Sequence, residues 1–517
     1  MLGRVLIRAA VCVGLTALWL NAFAGEGVRS AKEMREQVYR PQFHFTPAQN
    51  WMNDPNGAVY YKGEYQLFYQ YNPFGAEWGH MSWGHAVSRD LVHWKDLPVA
   101  LQEGNGIMIF SGSAVVDWHN SSGLCHGSQG DSSCLVAVYT GASQHLETQN
   151  IAYSNDHGRS WTKYSGNPVI DLHLAAFRDP KIFWHETTKR WVMVAALSSQ
   201  HKVRLFNSPD LVHWRALSDF GPAGAVGGAW ECPDLFPLPV ENSPGEVRWV
   251  LSVNVFPGGL TGGSGNQYFI GNFDGIRFSS DQKQTLWADY GRDFYASTSF
   301  SDIPQSDRGL WIGWLNNWEY ADKVPTTPWR GAQSIPRELA LREFPDGLRL
   351  VQHPISELHE LRKRHIQMQN QSVESANGKL QAARVHGDML EILAEVRPGA
   401  AGEIGFKLRK GPHQETVVGV DVTKSEVFVD RSHSGDVGFA KHFAGRQSGP
   451  IALGPGRVIE LHIFLDRSSV EVFANHGDTV LSELIFPLAG DAVELYSRGA
   501  ESRIRKLDIW KLASSYD

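Results

Sequence analysis

Apolar positions fall in short runs rather than long helical stripes. Gly84–Val87, Ser113–Trp118, Leu135–Thr140, Ile151–Tyr153 and Val203–Phe206 read as strands separated by polar or Pro-containing turns. A weak repeat underlies them. SRDLVHW at 88–94 returns as SPDLVHW at 208–214, with a looser copy at Ser154-Asn155-Asp156 and Trp161 and a fainter one at Asn272–Gly275. A second series interleaves with the first: apolar or aromatic strand starts at Trp51, Phe110, Phe177, Trp230 and Phe294, 53 to 67 residues apart. A unit of about 60 residues with several short strands fits a four-stranded propeller blade with long loops. Five starts predict five blades over about residues 40–345. In a closed ring the strand that begins each unit lies innermost, so the polar residues at those starts share one funnel.

After Pro354 the pattern changes. Ile355–Arg362 predicts a short helix, with a proline before it and apolar residues at 355, 358 and 361. Alternation then resumes in Glu391–Val396, Val427–Val429, Val458–Leu465 and Ser469–Phe473, with a turn at Asn475–Asp478. Hairpins at this spacing predict a β-sandwich. The fold class is therefore all-β, a five-bladed β-propeller followed by a C-terminal β-sandwich. The expected division is 1–24 leader, 25–352 propeller, 353–370 linker with a short helix, and 371–517 sandwich.

Composition narrows the function. The 517 residues exceed what one core organises. A net charge of −7, without a run of either sign, leaves no basic stripe for a phosphate backbone, which excludes nucleic acid as the expected partner. The 18 Trp and 15 Tyr suit surfaces that stack on sugar rings. Arg4 and Arg8, the apolar run Ala9–Leu20 and Ala22-Phe23-Ala24 predict a cleaved export signal, hence a secreted or periplasmic protein without a membrane anchor. Export permits disulfides. Cys125 and Cys134 flank the loop HGSQGDSS and are expected to bridge, leaving Cys232 over.

The chemistry must come from the strand starts. WMNDPNG at 51–57 sets Asp54 between two amides, FRDP at 177–180 sets Asp179 beside Arg178, and WECPD at 230–234 supplies Glu231. A lone Asp-Pro reads as a turn or strand cap. Three such acids around one funnel read as catalysis, because crowded carboxylates push one another's pKa values apart. Arg178 is expected to hold Asp179 ionised while Glu231 stays protonated. A carboxylate nucleophile opposite a carboxylic acid is what a retaining glycosidase needs. HExxH, paired CxxC and EF-hand patterns do not occur, so neither metal nor cofactor is expected. GGLTGGSG at 258–265 has the wrong spacing for a dinucleotide loop and predicts a flexible or tight connection near the funnel mouth. His80 and His85, among aromatics, read as hydrogen-bonded core residues.

WMNDPNG at 51–57, FYQYNP at 68–73, FSGS at 110–113, FRDPK at 177–181, WECPD at 230–234 and SSVEVFANHGD at 468–478 closely resemble glycoside hydrolase family 32, the β-fructofuranosidases. The resemblance spans essentially the whole chain after the leader. It implies Asp54 as nucleophile, Glu231 as general acid and then base, and Asp179 as the stabiliser that holds fructosyl hydroxyls. It further implies Trp51, Asn53, Gln70, Trp78, Phe110 and Ser111 around the fructose, Arg178 paired with Asp179, and Trp314 either stacked on substrate or structural; Tyr295 is a weaker candidate. FSGSAVVDWHNSSG, QNIAYSNDHGRSWTKYSGNPVI and DYGRDFYAS look more like bacterial levanases and exo-inulinases than plant invertases. The expected activity is release of terminal fructose from levan or inulin, with sucrose a lesser substrate. The alternatives are an endo-acting levanase or inulinase, an invertase, and, further off, a fructosyltransferase or a non-catalytic fructan-binding protein.

Overall fold

The computed structural model describes residues 31–126, 132–305, 308–399, 402–499 and 502–516; the expected leader lies outside the described residues. Five antiparallel sheets follow one another along the chain. Their first strands are Asn50–Tyr61, Met108–Asp117, Phe177–His185, Ala229–Pro239 and Tyr295–Ser299, within two residues of the expected starts. These five strands touch one another in cyclic order, so each is the inner strand of a blade. The ring closes where Tyr60 N–H donates to Ser301 O at 2.9 Å and Ser301 N–H to Ala58 O at 2.9 Å. Trp329–Arg330 also pairs in parallel with Asn50-Trp51. The apolar clusters lie between neighbouring blades, for example Phe68 and Trp83 against Ala137 and Tyr139, or Val192 and Val194 against Trp230 and Leu251.

The sequence repeat is a turn. In the first blade Asp90 Oδ1 accepts the N–H groups of Val92 and His93, Oδ2 meets His93 Nδ1 at 2.7 Å, and Trp94 Nε1 donates to Leu91 O. Asp210, His213, Trp214 and Leu211 make the same bonds in the third blade. Each turn joins the third and fourth strands of its sheet, and Leu91 and Leu211 share the left-handed φ of 64° and 63° that the reversal needs.

Beyond Pro354 a six-stranded and a five-stranded sheet pack face to face over one apolar core. The helix expected near 355–362 is a 3₁₀ turn, Ser356–Leu361. The remainder of the expected linker differs. Arg362–Ser372 is an edge strand of the six-stranded sheet, paired along its length with Arg503–Leu512. Its sequence, RKRHIQMQNQS, lacks alternation because edge strands tolerate charge that guards them against further pairing. Val373–Ala382, unexpected from sequence, is an α-helix capped by Ser372 Oγ, which accepts from Ser375 N–H. Cys125 and Cys134 are joined by a disulfide at the base of a second-blade loop.

The start of the expected propeller segment belongs to neither unit alone. Ala31–Glu36 is a short helix, and residues 40–46 run buried between propeller and sandwich. Buried charges tie the two units there. His44 lies between Asp466 at 2.8 Å and Glu471 at 2.9 Å. Arg337 reaches Asp289 at 3.0 Å and Glu471 at 2.5 Å, and Arg431 reaches Asp293 at 2.5 Å and Glu483 at 2.8 Å. Among the described residues no helix is long and apolar enough to cross a membrane.

Candidate active site

All five inner strands carry the same irregularity at the same level. Between Met52 and Pro55, Ile109 and Gly112, Arg178 and Lys181, Glu231 and Asp234, and Tyr295 and Thr298, three steps on the inner strand face two on its partner. A bulge of one residue turns side chains that would lie between blades toward the axis. The bulged residues Asp179, Cys232 and Ala296 take φ of +60°, +43° and +52°. Residues with a Cβ occupy that region at a cost and persist where the surroundings enforce it. Pro55 closes the first of these bulges and Pro180 and Pro233 lie inside theirs, each fixing φ at its position.

The three acids meet around Cys232. Its N–H donates to Asp179 Oδ2 at 2.9 Å, its Sγ lies 3.5 Å from Asp54 Oδ2, and Glu231 is its chain neighbour. Asp54 is held on both oxygens: Asn53 Nδ2 donates to Oδ1 at 2.9 Å and Ser111 Oγ to Oδ2 at 2.8 Å. Asn53 is fixed in turn by Trp51 Nε1 at 2.7 Å. Tyr295 OH donates to Glu231 Oε2 at 2.7 Å, and Arg178 Nη1 donates to Glu231 Oε1 at 3.0 Å.

Arg178 is where expectation and structure part. Its Nε and Nη2 grip Glu147 at 2.9 and 2.6 Å, so its charge is divided between Glu147 and Glu231 instead of being paired with Asp179. The bulge after Arg178 points the arginine and Asp179 in different directions, which adjacency in sequence hides. Burial, then the charge of Glu231, pushes Asp179 well above the usual carboxylate range, against Arg178 and the Cys232 N–H. Burial likewise raises Asp54 to about 6; the charge of Glu231 adds to the rise, and hydrogen bonds from Asn53, Ser111 and Cys232 oppose it. Burial and crowding therefore make full ionisation of the cluster costly, whereas the sequence reading has Arg178 alone holding Asp179 ionised.

The other expected residues divide into rim and support. Trp78 is 47% exposed and stands edge-on to the half-buried Phe110, with ring centroids 6.1 Å apart. These two form the rim with Arg178, whose guanidinium lies 6.0 Å from the Phe110 ring. Gln70 is buried, and its amide donates to Ile109 O, bracing the second blade against the first. Trp314 is fully buried, packed on Trp51 at 6.1 Å and Trp318 at 4.7 Å; it supports the floor and offers no face to a ligand. Trp318, half-buried and stacked on Trp51 at 5.9 Å, is the more open ring of this group. His85 is a core residue, bonded to Gln66 at 2.8 Å and driven by burial to a pKa of about 3. His80 is exposed, paired with Glu103 at 2.6 Å. The 258–265 glycines form a tight turn, Gly259 and Gly263 sharing a backbone bond of 3.0 Å.

Glu147 and the role of Tyr295 escape a reading by motif. Glu147 opens the third strand of the second blade in an ordinary stretch, LETQNIAYS, and only the ring arrangement sets it opposite Arg178.

Residues 44–354 match the family described as Glycosyl hydrolases family 32 N-terminal domain, and residues 357–511 match Glycosyl hydrolases family 32 C terminal. A levanase of Bacillus subtilis is 48% identical over 511 residues, covering 97% of this chain and 74% of that protein. An extracellular exo-inulinase of Aspergillus awamori is 39% identical, covering 93% of this chain and 96% of that one. The crystal structure of exo-inulinase from Aspergillus awamori superposes with a TM-score of 0.84 at 38% identity, over 93% of this chain and 99% of that chain. A variant fructofuranosidase of Schwanniomyces occidentalis, complexed with fructosylnystose, superposes equally well at 0.84 and 32% identity, over 93% and 99%.

Proposed function

The chain belongs to glycosyl hydrolase family 32, and from that membership we propose that it releases terminal β-fructose from levan or inulin, with sucrose a lesser substrate. The relatives above include a levanase and an exo-inulinase. The observation that carries the reading to this chain is the meeting of Asp54, Asp179 and Glu231 around Cys232 at the floor of one funnel.

The chemistry is a double displacement. Asp54, ionised above a pH of about 6, attacks the anomeric carbon of the fructosyl ring. Asn53 and Ser111 hold its two oxygens and fix its line of attack. Glu231, oriented by Tyr295 and Arg178, protonates the departing oxygen, then takes a proton from the water that releases fructose with retained configuration. Asp179 receives the ring hydroxyls. Hydroxyl donors stabilise its charged form, so a bound fructosyl ring favours an ionised Asp179 and leaves Glu231 as the acid of the pair. The Trp78 and Phe110 rim stands at the mouth, where the remainder of the chain leaves. Export of the mature protein to the periplasm or the medium completes the proposal, in keeping with the leader pattern at 1–24.

The test is a time course of products from levan, inulin and sucrose with purified mature protein, beside Asp54→Asn. Fructose alone from the earliest points, absent with Asp54→Asn, is the expected result. A ladder of oligosaccharides from the polymers means endo cleavage and overturns the terminal-release assignment. Near-native turnover by Asp54→Asn overturns the nucleophile.

A further inference from the structure

Four of the five inner strands, among them those that bear Asp179 and Glu231 near their starts, open onto a second cavity at their other ends. Its volume is about 710 Å³, within the range that takes a small ligand, and it lies at the far end of the propeller axis. Between it and the acids the axis narrows to a polar space of about 20 Å³ among Asp179, Cys232 and Asp234, so the two ends are separate sites.

Tryptophan exposure sets this cavity apart. Among the described residues the three most exposed tryptophans are Trp78 at the rim of the acid funnel, and Trp118 and Trp184, at 48% and 39%, in the far cavity. Both far rings are oriented. Trp118 Nε1 donates to Asp302 Oδ1 at 2.8 Å and its ring stands edge-on to Tyr61; Trp184 Nε1 donates to Glu186 Oε2 at 2.8 Å and its ring stands edge-on to Trp191. Exposed apolar surface gathered in a cavity and rimmed by polar groups marks an interaction site.

The charges around the cavity indicate what. Lys181 is paired with Asp234, Arg308 with Glu338 and Glu357, and Glu186 with Lys189. Asp302 is spent on Val116 N–H and Trp118, and Asp117 on Ser121 and Ser122. Acids outnumber cations there, which disfavours a phosphate, and among the described residues no cluster of acids, histidines or cysteines is placed to hold a metal ion. Its open surface combines indole faces with hydrogen-bonding edges, which matches a neutral polyol with alternating C–H and O–H faces. We infer that this far cavity is a second, non-catalytic binding site for a β-fructan chain, which holds the polymer while the acid funnel takes a free end. The identity of the sugar rests on the proposed function; the existence of the site rests on the cavity and its two tryptophans.

The test is affinity gel electrophoresis of the full mature chain in gels containing levan or inulin, with dextran as control. Asp54→Asn is used as background so that the polymer survives. The expected result is retardation by β-fructan and not by dextran, weakened roughly tenfold when Trp118→Ala and Trp184→Ala are added and largely restored by Trp118→Phe and Trp184→Phe. With Asp54 intact, the alanine pair is expected to keep native kcat/KM on sucrose, which also establishes that it folds, while KM for levan rises. Equal retardation of Asp54→Asn with and without the tryptophans, or equal retardation on dextran, overturns the site. Failure of the native protein to release fructose from any of the three substrates overturns the proposed function instead, and is read in a separate assay.

Discussion

At the scale of single residues, the site depends on a side chain outside every catalytic motif. Glu147 binds two of the three nitrogens of Arg178 and leaves the third for Glu231, so it fixes the arginine and adds a negative charge to the acid cluster. Glu147→Gln keeps the size and removes the charge. A cluster with one less negative charge holds its proton less tightly, so the alkaline limb of the kcat/KM profile on sucrose is expected to move to lower pH. Turnover should fall by roughly tenfold to a hundredfold as the guanidinium loses its fixed seat. Glu147→Asp, which restores the charge, should recover part of both; a profile unmoved by either change would remove Glu147 from this role. Asp54, Asp179 and Glu231 were legible because each sits in a long motif at a strand start. Glu147 was not, because nothing in LETQNIAYS distinguishes a functional acid from a solvated one. The partner of Arg178 was misread because adjacency in sequence stood in for direction in space.

At the scale of elements, the repeated bulge builds the funnel, and its sequence mark is indirect. Strand starts and prolines were visible; the extra residue was not, since a bulge changes the register of pairing without changing composition. Gly112 shows how tightly the second bulge is seated. Its N–H donates to Asn56 Oδ1 of the first blade, and a Cβ there would lie 2.1 Å from Val138 O and 2.7 Å from Tyr139 Cα, both backbone. Backbone cannot swing aside as a side-chain tip does. Gly112→Ala is expected to cost about 1–3 kcal/mol in thermal unfolding and to displace Ser111 from Asp54, lowering kcat on sucrose more than it changes KM. An unchanged melting temperature with full activity would mean that the strand shifts freely, and that the bulge does not fix the site. The edge strand Arg362–Ser372 carries the converse lesson: its partner supplies the pairing that its own residues do not advertise.

At the scale of the whole molecule, propeller and sandwich are locked by charges far apart in sequence. Asp466 and Glu471 lie 422 and 427 positions from His44, beyond the reach of any local pattern. Both His44 ring nitrogens face a carboxylate, and although burial alone lowers its proton affinity, the hydrogen bonds and charges of Asp466 and Glu471 raise its pKa to about 9. Burial works against Glu471 too, but Arg337, His44 and the Ile335 N–H bring it down to about 2. The signs define a window. A histidine raised in the folded state contributes fully below its unfolded value of about 6.5, and that contribution is lost as pH rises toward 9. A depressed glutamate contributes above its unfolded value of about 4.3, and that is lost as pH falls toward 2. Both act together between about pH 4.5 and 6.5, where His44 supplies on the order of 3 kcal/mol. His44→Gln removes the titration and keeps a hydrogen-bonding group. In calorimetry across pH, the gap in melting temperature between native and His44→Gln protein is expected to be widest near pH 5 to 6 and to close toward pH 9. A gap of constant width would show that His44 acts by packing alone. A closing gap would show that the segment at 40–46 clamps the two units through a proton that folding takes up.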